Sequence, residues 1–418
     1  MPKLIVNGKK LSGTVTPVPN KNSILKILPA CVLTDETVVL HNVPRTSDVA
    51  YMLQILEKLG GHYEWIDNSL SICCAKIHST QIDHELSTKM KASVMFSGPL
   101  LVRFKVSMTN PQCKLSRPMD AFMENMKKMA DYSYEKVYEI TAPKLKATHV
   151  RQRFPSVTAT ENLILMAVLA EGTTTIDNAA CEPHTQDLCN FLVSMGAKIQ
   201  IGSNKLVIEG VSSLSGTERS IISDHLDVAL ISAAVMTGGE ITIKNAIVEH
   251  MSMHLQAFEK LGIVLDIDEE SDRISVPLQE ELKIQKTIKG DYQEFTAGPW
   301  PLIPMDYIPI LLVLAMHCDG SAIIHNPYYT TQFYFTQELA KMKGRTVMAD
   351  PHRVITFPTE RKPANMMCSD IIQSSYAMLM AALAAPTSTL NAITPLFRRF
   401  PNFVEQFNAL GADLTLEE

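Results

Sequence analysis

Eight residues, Cys113 to Asp120, carry a thiol, two cations and a carboxylate (Cys113, Lys114, Arg117 and Asp120), led in by the turn-forming pair Asn110-Pro111. Positive charge beside a cysteine favours the thiolate, so Lys114 and Arg117 are expected to lower the Cys113 pKa. Arg117 can fork onto a phosphate or carboxylate, and Lys114 can approach one as a point charge. The alternative is a surface loop with an ordinary cysteine.

Other groups apt for anions fall where helices are expected to begin. Asn20-Lys21-Asn22-Ser23 opens an apolar stretch, and Lys21 with free backbone amides would suit a phosphate or carboxylate. A solvated lysine behind an Asn cap is the competing reading. Lys89-Met90-Lys91 puts a further cation before a helix, where plain surface charge is the alternative. Phe154-Pro155-Ser156-Val157-Thr158 is a hydroxyl-rich helix start, suited both to capping and to binding an oxyanion. Pro301-Leu302-Ile303-Pro304-Met305-Asp306 precedes a strongly apolar helix, so Asp306 can be a cap or a general base. Arg398 and Arg399 stand in a loop before the last helix, either solvated or closing over an anion. His250 and His254 share an i, i+4 spacing, but no Glu stands between them as HExxH would require, so a surface or partly buried helix face is expected. No Walker loop, no GxGxxG after a strand and no GxSxG is present.

One short signature supplies the frame for these groups. An apolar helical stretch ends near Gly or a substitute at 60, 130, 196, 262, 343 and 411, as in Leu56-Glu-Lys-Leu-Gly60 and Phe258-Glu-Lys-Leu-Gly262. Gly there suits the left-handed residue that ends a helix. A second signature is an apolar helix, a turn and a β-rich run ending in Asn, as in Thr37–Asn42, Gly172–Asn178, Gly239–Asn245 and Gly320–Asn326. Each copy predicts helix, strand, helix, strand pair. Six units make two groups of three, with a boundary near Ser223–Asp227. Apolar helices need a sheet to cover them, so an α/β fold is expected. The strand Lys3-Leu-Ile-Val-Asn7 belongs to no unit of the first half and is a candidate to complete the second.

The 418 residues are 46% hydrophobic and 20% charged, which fits a multidomain globular chain. A net charge of −6 without a basic run argues against a general nucleic-acid binder. The first residues do not read as a signal peptide, and the longest apolar runs are shorter than a bilayer span. Eight cysteines without metal-binding spacing suggest reduced thiols in a cytoplasmic protein. No nucleic-acid or membrane partner is expected.

Together these stretches resemble the enolpyruvyl transferase superfamily, and within it the UDP-N-acetylglucosamine 1-carboxyvinyltransferases rather than the enolpyruvylshikimate-phosphate synthases. The likeness runs through nearly the whole chain, in Leu169-Ala-Glu-Gly-Thr, Asp177-Asn-Ala-Ala, Glu182-Pro183, Met195-Gly-Ala-Lys-Ile and Val207-Ile-Glu-Gly-Val as well as in the six repeats. It implies a two-domain inside-out α/β barrel of six βαβαββ repeats, with residues 21–225 as one three-repeat domain and 1–20 plus 226–418 as the other. The active site would lie in the interdomain cleft.

The resemblance also implies an activity. The enolpyruvyl group of phosphoenolpyruvate (PEP) would pass to a hydroxyl of a uridine nucleotide by addition and elimination, with no metal or cofactor, in a monomer or weak homo-oligomer. Lys21, Lys91, Arg117 and Arg398 match PEP ligands. Cys113 matches the mobile-loop cysteine, a candidate acid at C3 of PEP and a candidate covalent partner. Asn22 matches a contact to the acceptor sugar, and Asp306 the carboxylate beside the acceptor hydroxyl. Pro118, Met119 and Asp120 match the segment that cradles the uracil, and Ser156, Val157 and Thr158 the one that holds the diphosphate.

Several residues depart from the superfamily's pattern. Pro111-Gln112 stands for the usual Gly-Gly before the cysteine, and Lys91 for an arginine. Arginines expected near Gln332 and Ile372 are missing. Ala121-Phe122 replaces Leu-His after the uracil aspartate. UDP-N-acetylglucosamine is the default acceptor, and a paralogue using another, such as UMP in nucleoside-antibiotic pathways, fits the departures. A non-catalytic nucleotide-binding paralogue is the remaining alternative.

Overall fold

The computed structural model describes residues 2–109, 124–134, 138–142, 144–145 and 147–417. They form two compact units, Met1–Val18 with Ser223–Glu418, and Pro19–Ile222.

In the second of these units the central helices are Lys21–Ala30, Ser97–Phe104 and Val157–Ala167. Most of their residues have no contact with water, as the runs Ile24, Leu28 and Ala30 or Leu163 to Ala167 show. A helix that is apolar on nearly every side is stable only when covered on every side. Three sheets provide that cover. One runs Glu218–Ser220, Val38–His41, Ser69–Cys73, His62–Ile66 and another His149–Arg151, Thr173–Asp177, Lys205–Glu209, Lys198–Ile201. In both the first pair is parallel and the rest antiparallel. The third, Val106–Thr109, Tyr138–Thr141, Asp131–Tyr134, is antiparallel throughout.

The other unit repeats this plan around Ala229–Thr237, Ile308–Ala315 and Ile372–Leu383, which pack against one another. Every residue of Ile308–Ala315 is buried. Its sheets are Ser12–Val15, Glu240–Ile243, Arg273–Val276, Asp266–Asp268; then Gln293–Thr296, Ala322–His325, Arg353–Thr356, Thr346–Asp350; and Asn365–Met367, Thr387–Asn391, Lys3–Asn7, Asp413–Glu417. The N-terminal strand Lys3–Asn7 thus pairs antiparallel with strands near the C-terminus on both sides, Leu4 opposite Leu390 and Leu416.

Both repeated signatures have a physical counterpart. The helix-ending residue is left-handed at Gly60, Gly196, Gly262 and Gly411, and at Lys343, where a lysine takes φ of 64°. Gly60 has a second reason to be glycine, because a Cβ there would lie 2.5 Å from the Lys76 carbonyl oxygen. The asparagines that end the central strands are left-handed at Asn42, Asn178 and Asn245. Their side chains also tie strands together. Asn42 donates to the Ile221 carbonyl (3.0 Å), Asn178 to that of Gln152 (3.1 Å) and Asn391 to that of Met366 (3.0 Å), each acceptor in or just beyond the parallel neighbour strand. Asn suits this place because it tolerates the left-handed region and carries a donor.

Two buried charges join the central helices of the Lys21 unit. Lys26, in the middle of the apolar helix Lys21–Ala30, reaches Glu161 of Val157–Ala167 at 2.7 Å, and Glu161 is fully buried. Burial raises the Glu161 pKa, against the pull of Lys26. Removing one partner leaves a buried charge uncompensated. Lys26→Met is therefore expected to cost about 3–5 kcal/mol, least at low pH, where Glu161 takes up a proton. The double variant Lys26→Met/Glu161→Gln should lose less than Lys26→Met alone. Urea unfolding at two pH values checks both.

Candidate functional site

The helix Lys21–Ala30 starts at Asn20, whose Oδ1 accepts from the Ser23 amide at 3.0 Å, so Asn20 is the cap. Lys21 is the first helical residue and is buried, not solvated. A cation there opposes the helix dipole, and Asp48 compensates it at 2.6 Å from Nζ. Asp48 belongs to the first turn of Ser47–Leu59, where a carboxylate is favoured, and Thr46 caps that helix. Asn22 is half-buried beside Lys21. Ser23 hydrogen-bonds Asp187, and Arg219 lies 3.5 Å from the other oxygen of that carboxylate. Burial raises the Asp187 pKa, and both partners oppose it.

Lys91 opens a 3-10 helix, Lys91–Phe96, that runs into Ser97–Phe104. This 3-10 segment packs against both Lys21–Ala30 and Val157–Ala167. Ser156 caps the latter, its Oγ accepting from the Ala159 amide at 3.4 Å, and Val157 and Thr158 form the first turn, half-buried like Ser156. The helices carrying Lys21, Lys91 and Ser156–Thr158 therefore belong to one packed group, which the Lys26–Glu161 pair fastens. Cys113, Lys114, Arg117, Pro118, Met119 and Asp120, with Pro111, Gln112, Ala121 and Phe122, lie outside the described residues. A cavity of about 300 Å³ lined by Lys127, Lys128, Asp131 and Lys144 holds none of the candidate residues.

In the other unit, Asp306 is half-buried two residues before Ile308–Ala315. The cap position is Tyr307, with no side-chain cap, and among the described residues the Asp306 carboxylate has no hydrogen bond or ion pair. Asp306 is therefore not the cap of this helix. Its backbone is held from the side, since Gln332 donates from Nε2 to the Met305 carbonyl at 2.9 Å. Gln332 is buried and also accepts from Asn326. Ser374, near the start of Ile372–Leu383, donates to the Gln332 carbonyl at 3.1 Å. The place where an arginine was expected is thus taken by a neutral amide turned inward, and Ile372 is the first residue of its helix.

Arg398 and Arg399 follow the short helix Thr394–Phe397, which packs against Ile372–Leu383. Arg398 is half-buried. Arg399 is buried, so the solvated reading does not hold for it, and it meets Asp224 at 2.5 Å. Asp227 lies in the same interior. Its Oδ2 accepts from the Val18 amide at 2.9 Å, and burial, reinforced by Asp224, lifts its pKa to about 7. His225 and His254 are held down to about 3, first by burial, then by Arg399 and by His225 respectively. His254 was expected on a surface or partly buried face. It is fully buried because its ring packs against Tyr307, centroids 4.8 Å apart. The Tyr307 hydroxyl shares a hydrogen bond with Ser232 at 2.8 Å. Among the described residues no cluster of His, Cys, Asp or Glu is spaced to hold a metal, and no helix is long and apolar enough to cross a membrane.

In one unit Lys21 and Lys91 stand at helix starts, and in the other Asp306, with no partner among the described residues, precedes a buried helix. The chain matches the family model described as EPSP synthase (3-phosphoshikimate 1-carboxyvinyltransferase) over residues 5–407. It is 37% identical to a UDP-N-acetylglucosamine 1-carboxyvinyltransferase of Bradyrhizobium diazoefficiens, covering 98% of this chain and 97% of that one. It is 36% identical to one of Borreliella burgdorferi, covering 98% of each. The fold is also that of the enolpyruvyl transferase NikO of Streptomyces tendae, with a TM-score of 0.88 at 22% identity over 100% of this chain and 99% of that one. An EPSP synthase of Acinetobacter baumannii is similar at a TM-score of 0.79 and 16% identity, over 100% of both chains. The chain belongs to the EPSP synthase family and is an enolpyruvyl (1-carboxyvinyl) transferase.

Reasoning from the sequence passed over Asp48, the Lys26–Glu161 pair and the association of Arg399 with Asp224 and Asp227. A signal was present for Lys26 and Glu161, since each is a charge inside an apolar helical run and must find a partner.

The Asp227 pKa gives a measurable pH effect. It stands near 7 in the folded protein against an ordinary 3.8. The folded state keeps a proton that the unfolded chain gives up, so this group's stabilisation is lost as pH rises through that window. His225 and His254 work in the opposite sense, losing stability as pH falls below 6.5. Asp227→Asn should therefore gain thermal stability relative to wild type between about pH 4 and about pH 7 and hold that gain above it. Melting temperatures of the two proteins across this range are the check, and a pH-independent difference would contradict the assignment.

Proposed function

We propose that the enzyme transfers the enolpyruvyl group of PEP to a hydroxyl of UDP-N-acetylglucosamine. The observation that carries this reading is the 34–37% identity, over 98–99% of the chain, to relatives bearing that name.

In this reading Lys21, Lys91, Arg117 and Arg398 hold the phosphate and carboxylate of PEP and stabilise the departing phosphate. Lys21 and Ser156–Thr158 present backbone amides at helix starts, where anions are favoured. Ser156, Val157 and Thr158 take the diphosphate, Pro118, Met119 and Asp120 the uracil, and Asn22 the sugar. Asp306 removes the proton of the attacking hydroxyl. Its lack of a hydrogen-bond partner among the described residues supports that role, because a carboxylate committed to a cap or an ion pair is a poor base. The new C–O bond forms at C2 of PEP while C3 gains a proton from Cys113. A tetrahedral phospho-ketal results, and loss of its C3 proton and of phosphate yields the enol ether. The reaction takes place in the cytoplasm on small-molecule substrates, with neither metal nor cofactor required by the chemistry.

Phosphate release from PEP, measured with UDP-N-acetylglucosamine, other UDP-sugars and UMP, tests the acceptor. Release is expected with UDP-N-acetylglucosamine. Release with UMP alone would move the assignment to the other acceptor class, and none with any acceptor would leave a nucleotide-binding paralogue. Asp306→Asn should lower kcat about 10²–10⁴-fold with little change in the KM for PEP. Fosfomycin, an epoxide mimic of PEP, should add to Cys113 in the presence of acceptor, as read by mass spectrometry.

A further inference from the structure

We propose that Arg399 is a positioning residue for Arg398, acting through its buried ion pair with Asp224. The inference rests on the reading of Arg398 as a PEP ligand.

The two arginines are consecutive and follow the helix Thr394–Phe397, with Arg398 itself in helical backbone geometry (φ −69°, ψ −24°). Successive residues in that geometry project about 100° apart. An inward Arg399 therefore directs Arg398 elsewhere, and Arg398 is the more exposed of the two. The anchor beneath Arg399 is built from several parts. Its Nη2 lies 2.5 Å from Asp224 Oδ2, and its guanidinium carbon sits 5.5 Å from the centre of the Phe400 ring. Phe400 in turn stacks on Tyr376 of Ile372–Leu383 at 4.2 Å. Asp224 is fixed by its own backbone, since its amide donates to the Val18 carbonyl at 2.8 Å and its Oδ1 accepts from the Leu226 amide at 3.0 Å. Asp227 holds the Val18 amide. The arginine turn is thus tied to the two segments at which the chain leaves and re-enters this unit, Val18 and Ser223–Asp224.

Stability alone does not account for such a pair. Removing a guanidinium and a carboxylate from water is costly, and well-packed apolar residues commonly do as well or better in the same space. What the pair supplies is direction, because a charge-assisted hydrogen bond fixes where the arginine turn can sit. Binding of PEP to a turn already held, rather than to a swinging Arg398, lowers the ordering cost of capture.

The test uses the full chain in four variants: Arg399→Met, Arg399→Lys, Asp224→Asn and Arg398→Ala. Steady-state kcat, the KM for PEP and for the acceptor, and melting temperature are measured for each. Arg399→Met and Asp224→Asn should each raise the KM for PEP about tenfold while leaving the acceptor KM within about twofold. Arg399→Lys, which keeps the charge but loses the fork, should fall between wild type and Arg399→Met. A lowered melting temperature with a wild-type KM for PEP, in whichever of Arg399→Met and Asp224→Asn folds, makes the pair merely structural and overturns the proposal. Arg398→Ala separates the two layers. A wild-type KM for PEP in that variant removes the reading of Arg398 and the inference with it, whereas a raised value there beside unchanged Arg399→Met kinetics removes only the positioning role.

Discussion

The constraint on which the structure depends is the burial of its central helices on every side. Ile308–Ala315 has no face toward water, and Ile24–Ala30 and Leu163–Ala167 are nearly as enclosed. Such helices cannot carry chemistry along their length, because an unpaired polar group there would cost several kcal/mol. Only their ends remain, where backbone amides are unsatisfied and the dipole is positive. Lys21, Lys91, Ser156–Thr158 and Asp306 all stand at or just before helix starts, and this is the physical reason. The same packing that stabilises each unit thus confines its polar chemistry to helix ends.

Several of the charges in the interior come in pairs that join elements. Lys26–Glu161 joins two central helices, Lys21–Asp48 joins the start of the first of them to the start of Ser47–Leu59, and Arg399–Asp224 joins a C-terminal turn to Ser223–Val228. Each has a separation of 2.5–2.7 Å and both partners buried. Apolar packing fixes a helix against its neighbour loosely along the axis and in rotation, whereas a hydrogen-bonded ion pair fixes both. Positions that must present a lysine or arginine to a substrate within a fraction of an ångström gain from that second kind of restraint.

Repetition made the fold legible. The glycines at 60, 196, 262 and 411 mark helix ends because only the left-handed region closes that turn cheaply, and asparagine recurs after central strands because it tolerates the same region while donating to a neighbour. These are local backbone demands, so they leave a local trace. Lys21, Asp306 and Arg398 were legible as candidates, through resemblance and through their places beside apolar runs. The partners were not. Asp48 lies 27 positions from Lys21, and Asp224 lies 175 from Arg399. Nothing in a single sequence says which distant carboxylate meets a given cation. The burial of His254 was missed for a related reason, since an i, i+4 spacing says which face a residue shares and not what covers that face.

Gln332 shows how a lost charge can leave a gained constraint. An arginine in its place would add a cation felt over roughly a Debye length, about 8–10 Å. The amide adds none, yet it reaches the Met305 carbonyl, accepts from Asn326, and has its own carbonyl held by Ser374. Its influence is confined to hydrogen-bond range and falls on the peptide next to Asp306. Charge and position are different means of governing a reacting carboxylate, the first by shifting its proton affinity and the second by fixing its distance from the hydroxyl. With Asp306 taken as the proposed base, Gln332 acts by the second. Proton transfer is far steeper in distance than electrostatic attraction is, so a neutral tie beside the base can serve the reaction where a cation would serve binding.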